Sequence, residues 1–477
     1  MARVLRTLVL AVAMALSVAA TALAQAPAGL TSGNVKFVKN FARHTDTSGG
    51  RFLGGYYYVT TERDLSIYDA KDPENPALVG NVLLDFPGEP TFPEEDPDTN
   101  GKVLVVSNTD TLIYDVSDKA HPTLLGRLPG VDQHTMTCVL DCTWVYGSAG
   151  AIIDLRDPTK PKLAGSWNEA AQLDSTHDVT EVAPGLLVTS SQPMLFLDAR
   201  QDPLHPVVLA TGKTPGFLHG NLWPGAGTDN FLLAGGEAAG PGCSNSADAT
   251  FMTLDARNWE TSHTFPLINQ FRMQTGTVVN GSNVESTWCT HWFGVNPTFA
   301  NGGLVANAWY EQGVRFLKVD ASGKISEVGY WLPIDGQSSD ADWVTDRVVY
   351  VADYLRGFDI LKFTGDIPPG FPKAPAPAAS GSAPRASVSF DKLVAMPAAR
   401  KCVRARSFRV RVRSRKSDPV TWARLRIDGR RVATARGAAL RRGLRARRLP
   451  HGHFSAQVEV RTKSGRKTAG QRAYKGC

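Results

Sequence analysis

The chain has 477 residues, of which 42% are hydrophobic and 20% are charged, so most of it can bury a core and a wholly disordered protein is excluded. Its length predicts more than one domain or an array of repeats. The net charge of +7 hides a split, because residues 385–477 hold 27 Lys and Arg against four Asp and Glu. The other 384 residues hold 25 Lys and Arg against 41 Asp and Glu, so an acidic body carries a basic tail domain.

The first 24 residues resemble an export signal. Arg3 and Arg6 precede an apolar stretch at 7–20, and Ala22-Leu23-Ala24 fits the small-x-small cleavage pattern. A membrane anchor is disfavoured because this stretch is short of the roughly 20 residues that span a bilayer. We therefore predict a cleaved signal peptide, no transmembrane span, and a secreted or extracytoplasmic protein.

Export changes what is expected of the six cysteines, because oxidising compartments favour disulfides. Fifteen pairings are open, and locality in the sequence favours three of them. These are Cys138 with Cys142, Cys243 with Cys289, and Cys402 with Cys477. No CxxC motif occurs, which disfavours a cysteine-rich metal site.

A repeat runs through the acidic body. In four clear copies an aliphatic strand ends at an Asp, a second Asp and a Pro follow, and a second aliphatic stretch begins. These copies centre on Asp69, Asp115, Asp154 and Asp198, and three weaker ones centre on Asp255, Asp320 and Asp359. Such spacing, with several short strands in each unit, is typical of propeller blades. The second Asp and the Pro predict a turn, whereas the acids are too few for a calcium loop.

Seven copies predict an all-β fold, with a seven-bladed β-propeller over residues 35–366. Residues 34–41 look like a spare outer strand that completes the last blade and closes the ring, so that no sheet edge stays exposed. The stretches Leu112-Ile113-Tyr114-Asp115 and Ile152-Ile153-Asp154 resemble the LVIVD repeat of secreted and surface bacterial β-propellers. This resemblance implies the fold and no particular activity.

Histidines recur where blades begin. Five blades have a histidine just ahead of or within their first strand, and the other two have an acid there. Because first strands line the channel of a propeller, we expect these side chains to converge at one mouth. The candidates are His44, His134, His177, His219, His291, Glu89 and Asp342. Such a ring could staple neighbouring blades, bind a polar ligand, or hold a transition metal ion.

One further resemblance bears on activity. Gly242-Cys243-Ser244 resembles the Gly-Asp-Cys-Ser segment of the selenium-binding protein and methanethiol oxidase family. Members of that family are seven-bladed propellers with metal-binding histidines. The resemblance implies a metal-dependent oxidase as the alternative to a non-catalytic binding or scaffold protein. No catalytic residue can be assigned, and no cofactor is expected unless the histidines bind a metal.

A Pro/Ala-rich linker at 367–384 precedes the basic domain at 385–477. Apolar and basic residues alternate in three of its segments, which predicts an antiparallel β-sandwich. It resembles the Cys-bounded, immunoglobulin-like basic modules at the ends of exported actinobacterial proteins. The candidate anion-binding residues are Arg409, Arg411, Arg413, Arg424 and Arg426.

Outside the cell, the expected partners of this domain are anionic wall polymers or phospholipid headgroups, not nucleic acid. The propeller is expected to meet an unknown ligand or protein. The sequence therefore predicts an exported propeller that its basic domain holds at the cell envelope.

Overall fold

A computed structural model describes residues 29–44, 46–87, 95, 97–168, 173, 176–237, 250–272, 289–373, 393–397, 407–413, 418–428, 430–447, 449, 451–463 and 467–476. The chain divides into two compact units, Met1–Pro377 and Ala378–Cys477, and the division falls within the predicted linker. The predicted signal peptide lies outside the described residues. Within the described ranges, no helix is long and apolar enough to cross a membrane.

The first unit is all-β and begins with two strands, β1 (Gly29–Thr31) and β2 (Val35–Phe41). Three four-stranded antiparallel sheets follow. Sheet 1 contains β3 (Thr47–Leu53), β4 (Tyr56–Thr61), β5 (Asp64–Asp69) and β6 (Ala77–Leu83). Sheet 2 contains β7 (Asp98–Thr99), β8 (Val103–Ser107), β9 (Asp110–Asp115) and β10 (Thr123–Pro129). Sheet 3 contains β11 (Met136–Val139), β12 (Trp144–Gly147), β13 (Ala151–Asp154) and β14 (Lys162–Ser166).

Two further sheets continue the pattern. Sheet 4 contains β15 (Val179–Ala183), β16 (Leu186–Thr189), β17 (Met194–Asp198) and β18 (Val207–Gly212). Sheet 5 contains β19 (Leu218–Leu222), β20 (Phe231–Gly236), β21 (Phe251–Asp255) and β23 (Leu267–Phe271). Between β21 and β23 in the chain, β22 (Thr264–Phe265) pairs in parallel with β18 and so belongs to sheet 4. Short helical turns lie at Ala42–His44, Pro224–Gly227 and Trp259–Ser262.

The last two sheets of the unit take up the N-terminal strands. Sheet 6 contains β24 (Phe293–Val295), β25 (Gly303–Ala308), β26 (Val314–Val319) and β27 (Ile325–Pro333), and β1 adds to its edge. Sheet 7 contains β28 (Ser338–Trp343), β29 (Val348–Asp353) and β30 (Gly357–Phe363), and β2 is its fourth strand. β2 pairs antiparallel with β30 from Val35 opposite Phe363 to Phe41 opposite Phe358.

The first strands of neighbouring sheets lie side by side. β3 contacts β7, β7 contacts β11, β11 contacts β15, β15 contacts β19, β24 contacts β28, and β28 contacts β3. Apolar residues fill the spaces between sheets; between sheets 6 and 7, for example, Leu304 and Phe316 pack with Val349 and Leu361. The inner strands are buried on both faces, which explains their nearly continuous apolar sequences. The first unit is therefore propeller-like.

The repeated aspartates form turns after the third strand of a sheet. After β5, Asp69 Oδ1 accepts the N–H of Lys71 at 2.9 Å, and Asp72 Oδ1 accepts the N–H of Glu74 at 3.2 Å. The same pair of bonds recurs after β9, β13 and β17. The predicted turn is confirmed, and both aspartates form it by holding the backbone out of strand geometry.

Cys138 and Cys142 form the predicted disulfide across the turn between β11 and β12. Cys289 is also disulfide-bonded. Its predicted partner Cys243 lies outside the described residues, as do Cys402 and Cys477. Two of the three predicted pairings therefore remain predictions.

The second unit contains two sheets. Its strands are β31 (Val394–Ala395), β32 (Ser407–Val412), β33 (Val420–Ile427), β34 (Arg430–Arg436), β35 (Leu444–Arg447), β36 (Gly452–Thr462) and β37 (Lys467–Gly476). One sheet has the order β31-β32-β35, and the other has the order β34-β33-β36-β37. Val410 and Leu444 of the first sheet join Leu425 and Val458 of the second in one core cluster.

The candidate anion-binding arginines divide between these sheets. Arg409 and Arg411 lie exposed on β32, and Arg413 directly follows that strand. Arg424 and Arg426 lie on β33 of the other sheet, where they alternate with buried apolar residues. These arginines therefore do not share one sheet face, because the alternating segments that carry them belong to strands of different sheets.

Candidate metal centre

Four of the predicted histidines come together around a glutamate. His134, His177 and His291 each lie two residues before the first strand of a sheet, and His219 lies within β19. Their Nε2 atoms surround Glu95 Oε2, at 3.2 Å for His219, 3.3 Å for His134, 3.5 Å for His291 and 4.0 Å for His177. The side chains converge because they occupy similar places at the starts of adjacent first strands.

The carboxylate that they surround was not predicted. The sequence pointed to Glu89, which lies outside the described residues, whereas Glu95 belongs to the same connection between β6 and β7. Gly49 in β3 lets this connection approach: a Cβ at Gly49 would stand 1.9 Å from the carbonyl oxygen of Glu95. The acid-rich sequence of the connection was the available signal, but it does not tell which acid turns inward.

A second carboxylate, Glu237, lies directly after β20 and was also not predicted. Its Oε2 lies 3.8 Å from His177 Nε2. Three groups have ligand atoms within 4.8 Å of one another: Glu95 with His219 and His291, Glu95 with His134 and His177, and His177 with His219 and Glu237. We call these six residues the histidine–glutamate cluster.

The spacing of these donors fits a metal ion. Zinc binds imidazole nitrogen and carboxylate oxygen at about 2.0–2.2 Å, so ligands on one ion lie roughly 3.0–3.6 Å apart. His134 Nε2 and His177 Nε2 are 3.1 Å apart, and three of the four Glu95 contacts fall in the same range. Nitrogen donors with a carboxylate suit zinc, copper, iron, nickel or manganese.

The electrostatics of the cluster leave two of its four histidines in the neutral form that binds a metal ion. Burial alone would raise the pKa of Glu95, but the charge of His291 and hydrogen bonds from three histidines hold it well below its usual value. Burial opposes charge on His134 and His291 too, yet Glu95 raises the pKa of both. Burial and the charge of His219 hold the pKa of His177 well below its usual value, whereas burial and the charge of His291 lower the pKa of His219 to about 3. At neutral pH the cluster thus holds an ionised carboxylate and two neutral imidazoles, and a metal ion would compete with the protons that Glu95 favours on His134 and His291.

Hydrogen bonds fix the orientation of several members. Tyr354 Oη donates to Glu95 Oε1 at 2.7 Å, and Tyr310 Oη donates to Glu237 Oε1 at 2.7 Å. His291 Nδ1 hydrogen-bonds the carbonyl of Ser339 on β28. Partners of this kind orient metal ligands in many proteins and tune their basicity.

Two predicted members lie elsewhere. His44 Nε2 contacts Tyr68 Oη at 2.5 Å, its ring stacks on Phe358, and none of the three donor groups includes it. It lies in a helical turn three residues before β3, one residue further back than three of the other histidines, and it packs between sheets 1 and 7. Asp342 accepts the N–H of Phe52 at 3.2 Å and so joins sheet 7 to sheet 1. Its expected place in the cluster is therefore wrong, as is that of His44.

Comparison with known proteins identifies the repeat. The LVIVD repeat profile matches residues 51–83 and 104–128. No curated protein matches the sequence. Among solved structures, the chain is similar to the WD40 repeats of RRP9, at 8% identity and a TM-score of 0.46, with 70% of this chain and 98% of that one covered. It is also similar to U3-55K, at 7% identity and a TM-score of 0.45, with 69% and 99% covered. Likeness at this level carries no inference about function.

Proposed function

We propose that the first unit is a β-propeller that binds one transition metal ion in the histidine–glutamate cluster. The observation that carries this is the approach of four imidazole Nε2 atoms to within 4.0 Å of a single oxygen of Glu95. Nitrogen and carboxylate donors at these separations match the ligand set of a divalent transition ion.

A purely structural role, in which the histidines hydrogen-bond neighbouring blades to one another, explains the cluster less well. A histidine that only joined neighbouring blades would need one contact with the next blade, whereas the Nε2 atoms of four histidines from different sheets converge on one oxygen of Glu95. Packing imidazoles this closely also limits how many of them can be protonated, because like charges repel in a buried site. A bound cation would turn the neutral nitrogens into ligands and would compensate for their burial.

Elemental analysis of the full chain, purified without a polyhistidine tag, tests the proposal. We expect about one equivalent of zinc, copper, iron, nickel or manganese, and its loss in the double variant His134→Ala, His177→Ala. The matched control is His121→Ala, His205→Ala, because both of these histidines are exposed and pair only with Asp118 and Asp202 among the described contacts. Absence of metal from the wild type after loading, or full retention in the first variant, would overturn the proposal.

A metal-dependent enzyme is the second candidate. It is supported by a cavity of about 350 Å³ that reaches Glu95 and could bring a small molecule to the ion. A bound ion would act as a Lewis acid or redox centre there, and Tyr354 would hold Glu95 in place. Turnover of a small molecule that the double histidine variant lacks would separate this candidate from simple binding.

We also propose that the first unit is a closed ring of seven blades. Seven sheets among the described residues, the pairing of β2 with β30, and the contact between β28 and β3 support it. Because β2 is the outer strand of sheet 7, the hydrogen-bonding edge of β30 is not left open to pair with another chain.

For the whole chain, we propose export through residues 1–24 and retention at the cell envelope by the second unit. The LVIVD repeat, the disulfides and the basic composition of the tail support this. The second unit would be an immunoglobulin-like sandwich whose arginines bind anionic wall polymers or headgroups. Retention of the full chain on purified cell walls, lost in 1 M salt but kept in 0.1 M salt, is the expected result. Retention that ignores salt, or no retention, would overturn it.

A further inference from the structure

A cavity of about 350 Å³ lies beside the histidine–glutamate cluster and shares Glu95 with it. Its volume is in the range of small-molecule sites. The described residues that line it are Asp46, Glu62, Glu95, Tyr310, Gln337, Tyr354 and Leu355. The lining thus combines three carboxylates, two phenol rings, one amide and one leucine side chain, and none of these described residues is cationic.

Two tyrosines line the cavity next to the cluster. Their rings are nearly parallel, with centroids 6.2 Å apart and planes 16° apart. The hydroxyl of Tyr354 is committed to Glu95 and that of Tyr310 to Glu237, so the hydroxyls face the cluster. A ligand in the cavity therefore meets the rings themselves, and ring faces attract cations and flat apolar groups.

The position of Tyr310 is held at some cost. Its φ of 48° is left-handed, which is rare for a bulky residue. Backbone hydrogen bonds exchanged with Ser338 in both directions, at 3.0 Å each, keep it there. Strain of this kind is typical of sites in which a side chain must be aimed.

The other two carboxylates are available to a ligand. Asp46 is exposed and Glu62 is partly exposed, and neither side chain has a hydrogen bond or ion pair within the described ranges. The backbone N–H of Asp46 donates to the carbonyl of Tyr354 at 2.8 Å, which fixes this acid next to the ring pair. Two acids that have no cationic partner among the described side chains, beside aromatic rings, favour a cation and repel an anion.

We propose that this cavity binds a small organic monocation, namely a primary amine on an apolar or aromatic body. Asp46 and Glu62 receive the ammonium group, and the rings of Tyr310 and Tyr354 contact the body. This inference rests on the proposed metal-binding function, because the cavity reaches the cluster through Glu95. It names the class of ligand that would bind next to the metal ion.

Three probe molecules of similar shape but different charge test whether the cavity prefers a cation. They are phenethylamine, which is a cation at pH 7, the neutral 2-phenylethanol, and the anion phenylacetate. Calorimetric titration of the full chain, with and without added zinc, is expected to give at least tenfold tighter binding for the amine than for the alcohol, and none for the acid. In the variant Asp46→Asn, Glu62→Gln the preference for the amine disappears, while the affinity for the alcohol stays the same.

The matched control is Asp202→Asn, Glu260→Gln, which removes two exposed acids elsewhere and keeps the preference. Equal binding of amine and alcohol, or an unchanged preference in the first variant, overturns the inference. Metal content is measured on the same samples. Bound metal without amine preference refutes only this inference, whereas amine preference without bound metal supports it and refutes only the proposed metal function.

Discussion

Gly49 is the residue whose substitution most directly tests how the candidate metal centre is built. The connection that carries Glu95 passes over this glycine, and a Cβ there would lie 1.9 Å from the Glu95 carbonyl oxygen and 2.5 Å from its carbonyl carbon. Real Cβ contacts essentially never fall below 3.0 Å, so in Gly49→Ala the connection must move by more than 1 Å. Both clashing atoms are backbone, so a side-chain rotation cannot relieve the clash.

A shift of this size is large for a metal site. Functional groups must be held within about 0.5 Å of their working geometry, and the four imidazoles lie 3.2–4.0 Å from Glu95 Oε2. We therefore expect zinc affinity to fall at least tenfold, or about 1.4 kcal/mol. The inner strands remain packed, so we expect an overpacking cost of about 1–3 kcal/mol in the free energy of unfolding.

The assay is zinc titration followed by calorimetry, with thermal unfolding of the same samples. The matched control is Gly33→Ala, because a Cβ at Gly33 meets no atom within 4 Å. If Gly49→Ala does not fold, the variant Glu95→Gln replaces it, because Glu95→Gln weakens the same proposed metal ligand without a steric clash. Wild-type zinc affinity in folded Gly49→Ala would refute this account of how Glu95 is positioned.

Deleting residues 25–41 should lower the melting temperature of the first unit, because β2 pairs with β30 and the ring of Phe41 stacks on that of Phe358 at 4.4 Å. Deletion of residues 25–28 alone is the control. An unchanged melting temperature after the longer deletion would contradict closure of the ring by β2. Burial and the charge of Asp359 raise the pKa of Asp353 to about 7. Because the pKa of Asp in the unfolded chain is about 3.9, the wild type should lose stability as pH rises from about 4 to 7. The variant Asp353→Asn should avoid up to about 4 kcal/mol of this loss in the free energy of unfolding. A difference between the two proteins in urea unfolding that does not change with pH would refute this prediction. Reduction should melt the second unit before the first if Cys402 and Cys477 are bonded, and free thiols at both would exclude that tie.

The repeat could be read from the sequence because its chemistry is local. Asp69 and Asp72 bond to N–H groups two residues further along the chain, so the turn they form depends on nearby residues alone. The buried inner strands can be predicted from the sequence equally well, since a strand that is covered on both faces needs apolar residues throughout. Turn and strand together place the blade boundaries without knowledge of the neighbours.

The site was only partly predictable. His134, His177, His219 and His291 occupy similar places in successive sheets, so repetition in the sequence becomes proximity around an axis. Glu95 follows no repeat; it reaches the histidines only because Gly49, 46 residues earlier, leaves room for its backbone.

His44 shows the opposite case: the sequence pattern predicts it in the cluster, but its packing places it elsewhere. It stands one residue further from its strand than three of the other histidines do. Its side chain enters the space between sheets 1 and 7, where Tyr68 and Phe358 receive it. A shift of one position along the chain therefore decides whether an imidazole meets the cluster or the core.

By itself, the sequence determined the all-β repeat, the turns at its aspartates, the Cys138–Cys142 pair and the histidines that recur at blade openings. Each of these follows from residues close together in the chain or from a pattern that repeats along it. Only the tertiary structure decided that Glu95 and Glu237 complete the cluster, that His44 lies outside it, and that Tyr310 and Tyr354 line a cavity beside it. Those contacts join segments far apart in sequence, and their distances depend on how whole sheets pack, which no local pattern encodes.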